Sequence, residues 1–184
     1  MALTLIKEDG TGRADANSYA SAADGDAYHE GHLYASAWTA AAADRKAAAL
    51  VMATRLIDSQ YQFNGYRAES GQSLQWPREL CRDPDVNVAV LTGLLRRFDD
   101  YAASDKVPKA VVDATCEMAR ELLVADRTAS PPGEGLKYHN TTGEQTGYDK
   151  GDRRPIISPA AQAMLGKYGT LLSGRSGAVR LVRG

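Results

Sequence analysis

Apolar residues recur with helical spacing in two long stretches of this chain. Leu50, Ala53, Thr54 and Ile57 fall at i, i+3, i+4 and i+7, which places them on one face of a helix. The alanines around them favour that state and extend the predicted helix from about Ala40 to Ser59. Met52 and Leu56 widen the apolar surface beyond one core stripe, so a second face is expected to pack on a neighbour. Val111, Ala114, Thr115, Met118 and Leu122 form a second stripe. It predicts a helix from Pro108, a good first-turn residue, to about Asp126. Asp113, Glu117, Arg120 and Glu121 mark its wet face.

Three shorter helices follow from local signals. Ser21 with Asp24 reads as a capping box opening a helix over Ala22–Glu30, with Gly31 as its natural C-cap. Gly25 weakens that helix by about 1 kcal/mol relative to alanine. Val86, Val88 and Val90 alternate like a strand, whereas Leu91, Leu94, Leu95 and Phe98 repeat like a helix. The helical reading, about Val88 to Tyr101, is favoured. Ser158-Pro159 starts a last helix to about Leu172, with Ala160, Met164 (or Ala163), Tyr168 and Leu171 facing inward.

Between these elements the pattern is irregular. Residues 1–17, with Gly10, Gly12 and Asn17, read as an extended arm, where the alternation of Leu3 and Leu5 permits a short strand. Tyr61, Phe63 and Tyr66 surround the Asn64-Gly65 turn signal, and Leu74-Gln75-Trp76-Pro77-Arg78 follows. The segment reads as an ordered loop pinned by a structural aromatic cluster of Tyr61, Phe63, Tyr66 and Trp76. Leu136 and Tyr138 alternate with Lys137 and His139, so 135–150 reads as a hairpin or long loop. After Gly174 the chain is extended, with Val179, Leu181 and Val182 among Arg180 and Arg183. Such a tail is expected to pair with a partner or a sheet edge. The predicted fold is therefore mainly α: a small bundle of four to five helices with a β-hairpin or long loop and extended N- and C-terminal arms. It forms one domain over 1–184, made of an arm (1–17), a helical core (18–130), a hairpin or loop (131–157), a last helix (158–172) and a C-terminal arm (173–184).

A chain of 184 residues can bury a core without disulfides or metals. Its 43% hydrophobic and 24% charged residues argue against disorder. The N-terminus does not read as a signal peptide, and no run approaches the roughly 20 apolar residues of a membrane span. Charge changes the picture more. Residues 153–184 contain no Asp or Glu and carry a formal +6, against −7 for residues 1–152 and −1 for the whole chain. A basic arm on an acidic body predicts docking onto something negative. Arg153, Arg154, Arg175, Val179, Arg180, Leu181, Val182 and Arg183, with Leu136, Tyr138 and Tyr148 of the hairpin, are the candidate partner-contact residues.

Candidate chemistry is sparse. His29-Glu30-Gly31-His32 lacks the H-E-x-x-H spacing of a zinc protease, and both histidines are expected at the surface. Asp24-Gly25-Asp26 with Glu30 lacks a calcium loop. Cys81 and Cys116 form no C-x-x-C pair, and Cys116 falls on the buried side of its helix, where a thiol is inert. No metal, cofactor or catalytic residue is expected. Tyr61, Phe63, Tyr66, Arg67, Trp76 and Arg78 have the makings of a stacking platform for single strands, although aromatics locking a loop onto a core produce the same pattern.

Several segments in order carry a family resemblance. They are Ala16-Asn17-Ser18-Tyr19, Ala23-Asp24-Gly25-Asp26-Ala27-Tyr28, Ala37-Trp38, Lys46-Ala47-Ala48-Ala49-Leu50 with Ala53-Thr54 and Ile57-Asp58, then Gly65, Leu74-Gln75-Trp76-Pro77-Arg78, Val107-Pro108 and Ala114-Thr115-Cys116-Glu117-Met118-Ala119. Together they resemble the head–tail connector, or adaptor, proteins of tailed bacteriophages. Some relatives of those proteins are labelled primosomal-type single-stranded DNA-binding proteins. The resemblance spans about Gly10 to Asp126, and this chain carries extra residues near 83–106. It implies a structural, non-enzymatic neck protein of the virion, assembled in the host cytoplasm. It further implies a ring, commonly of twelve copies, that binds the portal protein and a tail terminator or stopper, with genomic DNA passing through without sequence-specific contact. Single-stranded DNA binding in phage replication is the alternative.

Overall fold

The computed structural model describes residues 3–85, 101–130, 138–141, 144–147 and 154–172. The capping box forms as the sequence requires: the Ser21 hydroxyl accepts from the Asp24 N–H at 3.2 Å, and the Asp24 carboxylate accepts from the Ser21 N–H at 2.7 Å. It opens α1, Ala22–Glu30, which Gly31 caps. A short helix absent from the sequence reading, α2, Ser36–Thr39, buries Trp38. The alanine-rich helix α3 spans Ala43–Gln60, and Pro108 caps α4, Lys109–Val124.

The core lies where the two long helices meet. Leu50, Ala53 and Ile57 of α3 join Val111, Ala114 and Met118 of α4 in one buried cluster with Tyr19 and Trp38. The two stripes read from periodicity are thus the faces that pack. Thr54 and Thr115 are buried but satisfied, each donating to the carbonyl one turn back, Leu50 at 3.0 Å and Val111 at 2.8 Å. The wet face of α4 is narrower than the sequence pattern suggests. Glu117 is only 4% exposed, because Arg120 pairs with it at 2.6 Å and offsets the cost of burial.

The expectation of a mainly α helical bundle is overturned: this is a small mixed α/β domain. Short antiparallel pairs join β1 (Tyr61–Phe63) to a strand near the C-terminus, β2 (Tyr66–Arg67) to β3 (Arg78–Glu79), and β4 (Tyr138–Thr141) to β5 (Glu144–Gly147). The last pair is the hairpin expected within 135–150. The predicted helix to Leu172 stops early. Helix α5 covers Pro159–Leu165 behind a Ser158 cap, and β6, Gly169–Leu171, then turns back to pair with β1. Gly169 permits that pairing, since a Cβ there would sit 2.6 Å from the Gln62 carbonyl oxygen. The inward residues of α5 are accordingly Ala161 and Leu165 rather than Ala160, which is exposed, and Leu171 is 36% exposed. Periodicity does not show β1, β2, β3 and β6 because two or three residues carry no measurable alternation.

The helix expected over Val88–Tyr101 lies outside the described residues except for Tyr101, which makes an isolated antiparallel bridge with Arg82. Residues near the N-terminus run along the core. The Glu8 carboxylate is 1% exposed and accepts from the N–H groups of Gly10, Gly12 and Arg13 at 2.9–3.0 Å.

Candidate nucleic-acid interface

The segment that follows α3 holds the aromatic and basic residues singled out in the sequence, and the fold divides them. Tyr61 and Phe63 alternate inward along β1 and stack at 5.8 Å, and Trp76 meets Phe63 edge-on at 5.7 Å. Tyr168 packs on the other side of Trp76 at 5.7 Å. Tyr61, Phe63 and Trp76 are each exposed by 4% or less. They form the structural cluster expected of them and have no free face for a base.

Tyr66 is the exception. It lies just past the Asn64-Gly65 turn on β2 and is 70% exposed, with Arg67 beside it also open to solvent. Its placement in the structural cluster is therefore corrected: β2 is an edge strand whose side chains have no layer to cover them. Leu80, 53% exposed, adjoins the same two-stranded pair.

The loop that presents Tyr66 is held by buried polar groups. Arg78 is 4% exposed. Its guanidinium donates to the carbonyls of Asn64 (2.7 Å), Gly65 (2.6 Å), Phe63 (3.3 Å) and Gln75 (3.0 Å). This is a backbone clamp, and burial lowers the arginine's pKa. Just before the cis Trp76–Pro77 peptide, the Tyr19 hydroxyl donates to Asp58 at 2.5 Å and accepts from the N–H groups of Gln75 and Trp76 at 3.0 and 3.2 Å. Asp58 also accepts from Gln75 N–H at 3.1 Å. Burial pushes the Asp58 carboxyl up to about 6, against the lowering effect of these hydrogen bonds and of Arg67 and Arg78. It also raises the fully enclosed Tyr19 well above its ordinary value.

Leu172, the last described residue, donates its N–H to the Gln60 carbonyl at the end of α3 at 2.7 Å. Arg175, Val179, Arg180, Leu181, Val182 and Arg183 lie outside the described residues, as do Arg153, Leu136 and Tyr148. Tyr138 is placed by its backbone, opposite Gly147. Arg154 is 61% exposed at its side chain and bonds Glu121 at 2.9 Å. The buried Arg127 shares that carboxylate, donating to it at 2.7 Å and to the carbonyls of Ile156 and Pro155.

His29 departs from its expected surface position. It is 3% exposed, packed at 5.0 Å from Trp38, with Nε2 at 3.2 Å from the Cys116 carbonyl. Burial lowers its pKa. His32 lies at 3.8 Å from Glu117. Among the described residues no group of three or more His, Cys, Asp or Glu could hold a metal, and no helix is long and apolar enough to cross a membrane. Both cysteines are buried, and burial pushes the Cys116 thiol up to about 12.

Fold and site together define a small mixed α/β domain with a sealed aromatic interior and an exposed Tyr-Arg edge. The chain belongs to the family described as "Putative DnaT-like ssDNA binding protein", whose model matches residues 3–184. No curated protein and no solved structure matches it. The family description coincides with the primosomal-type label that some connector-like relatives carry; it lends no support to a head–tail connector.

Proposed function

We propose that this protein binds single-stranded DNA, without catalysis, using the Tyr66–Arg67 edge and the basic residues within 173–184. The carrying observation is the family match over residues 3–184. The geometry narrows how such binding would work. Of the four aromatics in the segment that follows α3 (Tyr61, Phe63, Tyr66 and Trp76), only Tyr66 presents its ring to solvent. Base stacking is worth roughly 1–3 kcal/mol per base, so a single aromatic supplies modest affinity, and the remainder must come from phosphate contacts. Arg67 stands beside Tyr66, and Arg175, Arg180 and Arg183 add positive charge within residues 173–184. Binding of this kind weakens steeply with salt, because each neutralised phosphate releases counterions. Fluorescence anisotropy with a labelled oligothymidylate at two salt concentrations tests it. Tyr66→Ala should weaken binding at both salts, and deletion of 173–184 should flatten the salt dependence. A wild-type protein that leaves the oligonucleotide free at low salt removes the proposal.

A second reading, the head–tail adaptor of a tailed phage, rests on the sequence resemblance and on one observation. Leu33 and Tyr34 are 92% and 78% exposed, a contiguous apolar point of the sort that marks protein contacts. In that reading the chain is a virion component that forms a ring. It docks on portal and receives a tail terminator or stopper. Co-sedimentation with portal protein, with and without residues 173–184, separates it from DNA binding.

A further inference from the structure

Glu79 shares Tyr66's face of the β2–β3 pair. The register sets Tyr66 opposite Glu79 and Arg67 opposite Arg78. Side chains directly opposite each other lie on one face, with Cβ atoms about 4.5–5.5 Å apart, and the next pair along points the other way. Arg78 marks the inward side: it is buried and donates to the carbonyls of Phe63, Asn64 and Gly65. Arg67 follows it to that side, its Nη1 donating to the Gln72 carbonyl at 3.5 Å. The outward face therefore carries one ring and one carboxylate, both exposed.

The backbone beneath the two is fixed before any ligand arrives. Gly65, at φ +73°, approaches β3 so closely that a Cβ on it would lie 2.2 Å from the Glu79 carbonyl oxygen. Leu80, next to Glu79, takes φ +54° and is the one non-glycine residue in the left-handed region among the described residues. Arg78 fastens the turn from below. A ring and a carboxylate mounted in this way meet a ligand with little ordering left to do, which favours a selective contact.

This pairing decides what the face can read. A ring accepts any base by its π-face. A carboxylate only accepts hydrogen bonds, so the edge of the stacked base must donate. Guanine presents two N–H donors side by side, at N1 and N2, matching the two carboxylate oxygens. Adenine and cytosine each present one amino group. Thymine's single N3–H is flanked by two carbonyl oxygens, which a carboxylate repels. The same negative charge turns phosphates away from this face and toward the Arg67 side.

We propose that the Tyr66–Glu79 face selects unpaired guanine: the base stacks on Tyr66 and donates N1–H and N2–H to the Glu79 carboxylate. This selectivity rests on the single-stranded DNA binding proposed above and makes Glu79 its specificity-determining residue. Thymine still stacks, so oligothymidylate reports binding without this readout.

Fluorescence anisotropy of the full chain with two labelled strands tests it: oligothymidylate, and the same strand with isolated guanines set too far apart to form tetrads. The wild type should favour the guanine-bearing strand by about fivefold, the low end for a bidentate base contact because the site is open to water. Glu79→Gln changes an exposed side chain, and circular dichroism confirms its folding. Its amide both donates and accepts, so the preference should vanish, while affinity for oligothymidylate rises with the loss of the repelling charge. Tyr66→Ala should weaken binding to both strands. Equal wild-type affinity for the two strands, or a preference that survives Glu79→Gln, would overturn the selectivity and leave single-strand binding standing. A wild type that binds neither strand would remove both.

Discussion

Asp58 makes the protein's stability depend on pH in a direction opposite to most carboxylates. Its folded pKa of about 6 exceeds the ordinary 3.8, because burial outweighs its hydrogen bonds. Between those values the folded state binds more protons than the unfolded chain, so stability falls as pH rises through that window. Just over two pH units at 1.36 kcal/mol each is about 3 kcal/mol in full, of which about 2.4 kcal/mol is lost from pH 4 to pH 7, because the unfolded carboxyl is already partly ionised at pH 4. The other shifted carboxylates, Asp9, Asp15, Asp24, Asp26 and Asp126, are lowered, so their contribution is present above pH 4 and is lost as pH falls below it. The windows adjoin and the signs differ. Asp58→Asn keeps an acceptor for Tyr19 but removes the titration, at the cost of the Gln75 N–H bond, about 1–3 kcal/mol independent of pH. Urea denaturation of both proteins at intervals from pH 4 to pH 7.5 isolates the effect. The wild type should lose about 2.4 kcal/mol relative to the variant across that range, mostly between pH 4 and 6. Parallel curves would refute the assignment of a costly buried charge to Asp58.

Other consequences follow from the packing. Gly25→Ala should lower Tm even though alanine favours helix by about 1 kcal/mol, because the new Cβ would lie 2.3 Å from the Trp38 ring; overpacking of this kind costs about 1–3 kcal/mol. Phe63→Ala should cost about 3–5 kcal/mol in urea denaturation, since it empties the stack between Tyr61 and Trp76. Tyr66→Ala, on the exposed edge, should leave Tm within a degree or two while weakening oligothymidylate binding, and equal losses in both would refute the division between sealed and exposed aromatics. Arg127→Ala should cost roughly 1.5–3 kcal/mol, because it strips donors from Ile156 and Pro155 while Glu121 keeps Arg120 and Arg154.

What the sequence made legible was what repeats over several turns or sits at a fixed offset. The inner faces of α3 and α4, the capping box at Ser21 and the Ser158 cap all depend on spacing within one element. Illegible were the features decided by residues far apart in the chain. Nothing in Gly169-Thr170-Leu171 announces a strand; it becomes one because Tyr61–Phe63 offers an edge a hundred residues earlier. His29 looked like a surface residue because its burial comes from Trp38 and the Cys116 carbonyl. The candidate site was half legible. Its residue types were visible as a group, but which of them face water was decided by β1, whose alternation turns Tyr61 and Phe63 inward, and by Gly65, after which Tyr66 stands clear.

That division bears on function more than the presence of the aromatics does. A stacking surface for several bases needs several rings side by side with open faces, and here the rings that lie side by side close on one another. The polar groups beneath them, Arg78 with its carbonyls and Asp58 with Tyr19, hold the turn and so set the position of a lone Tyr66. If DNA is bound, the Tyr66 edge acts as a rigid mount for one stacking contact, and affinity depends on phosphate contacts from arginines such as Arg67 and those within residues 173–184.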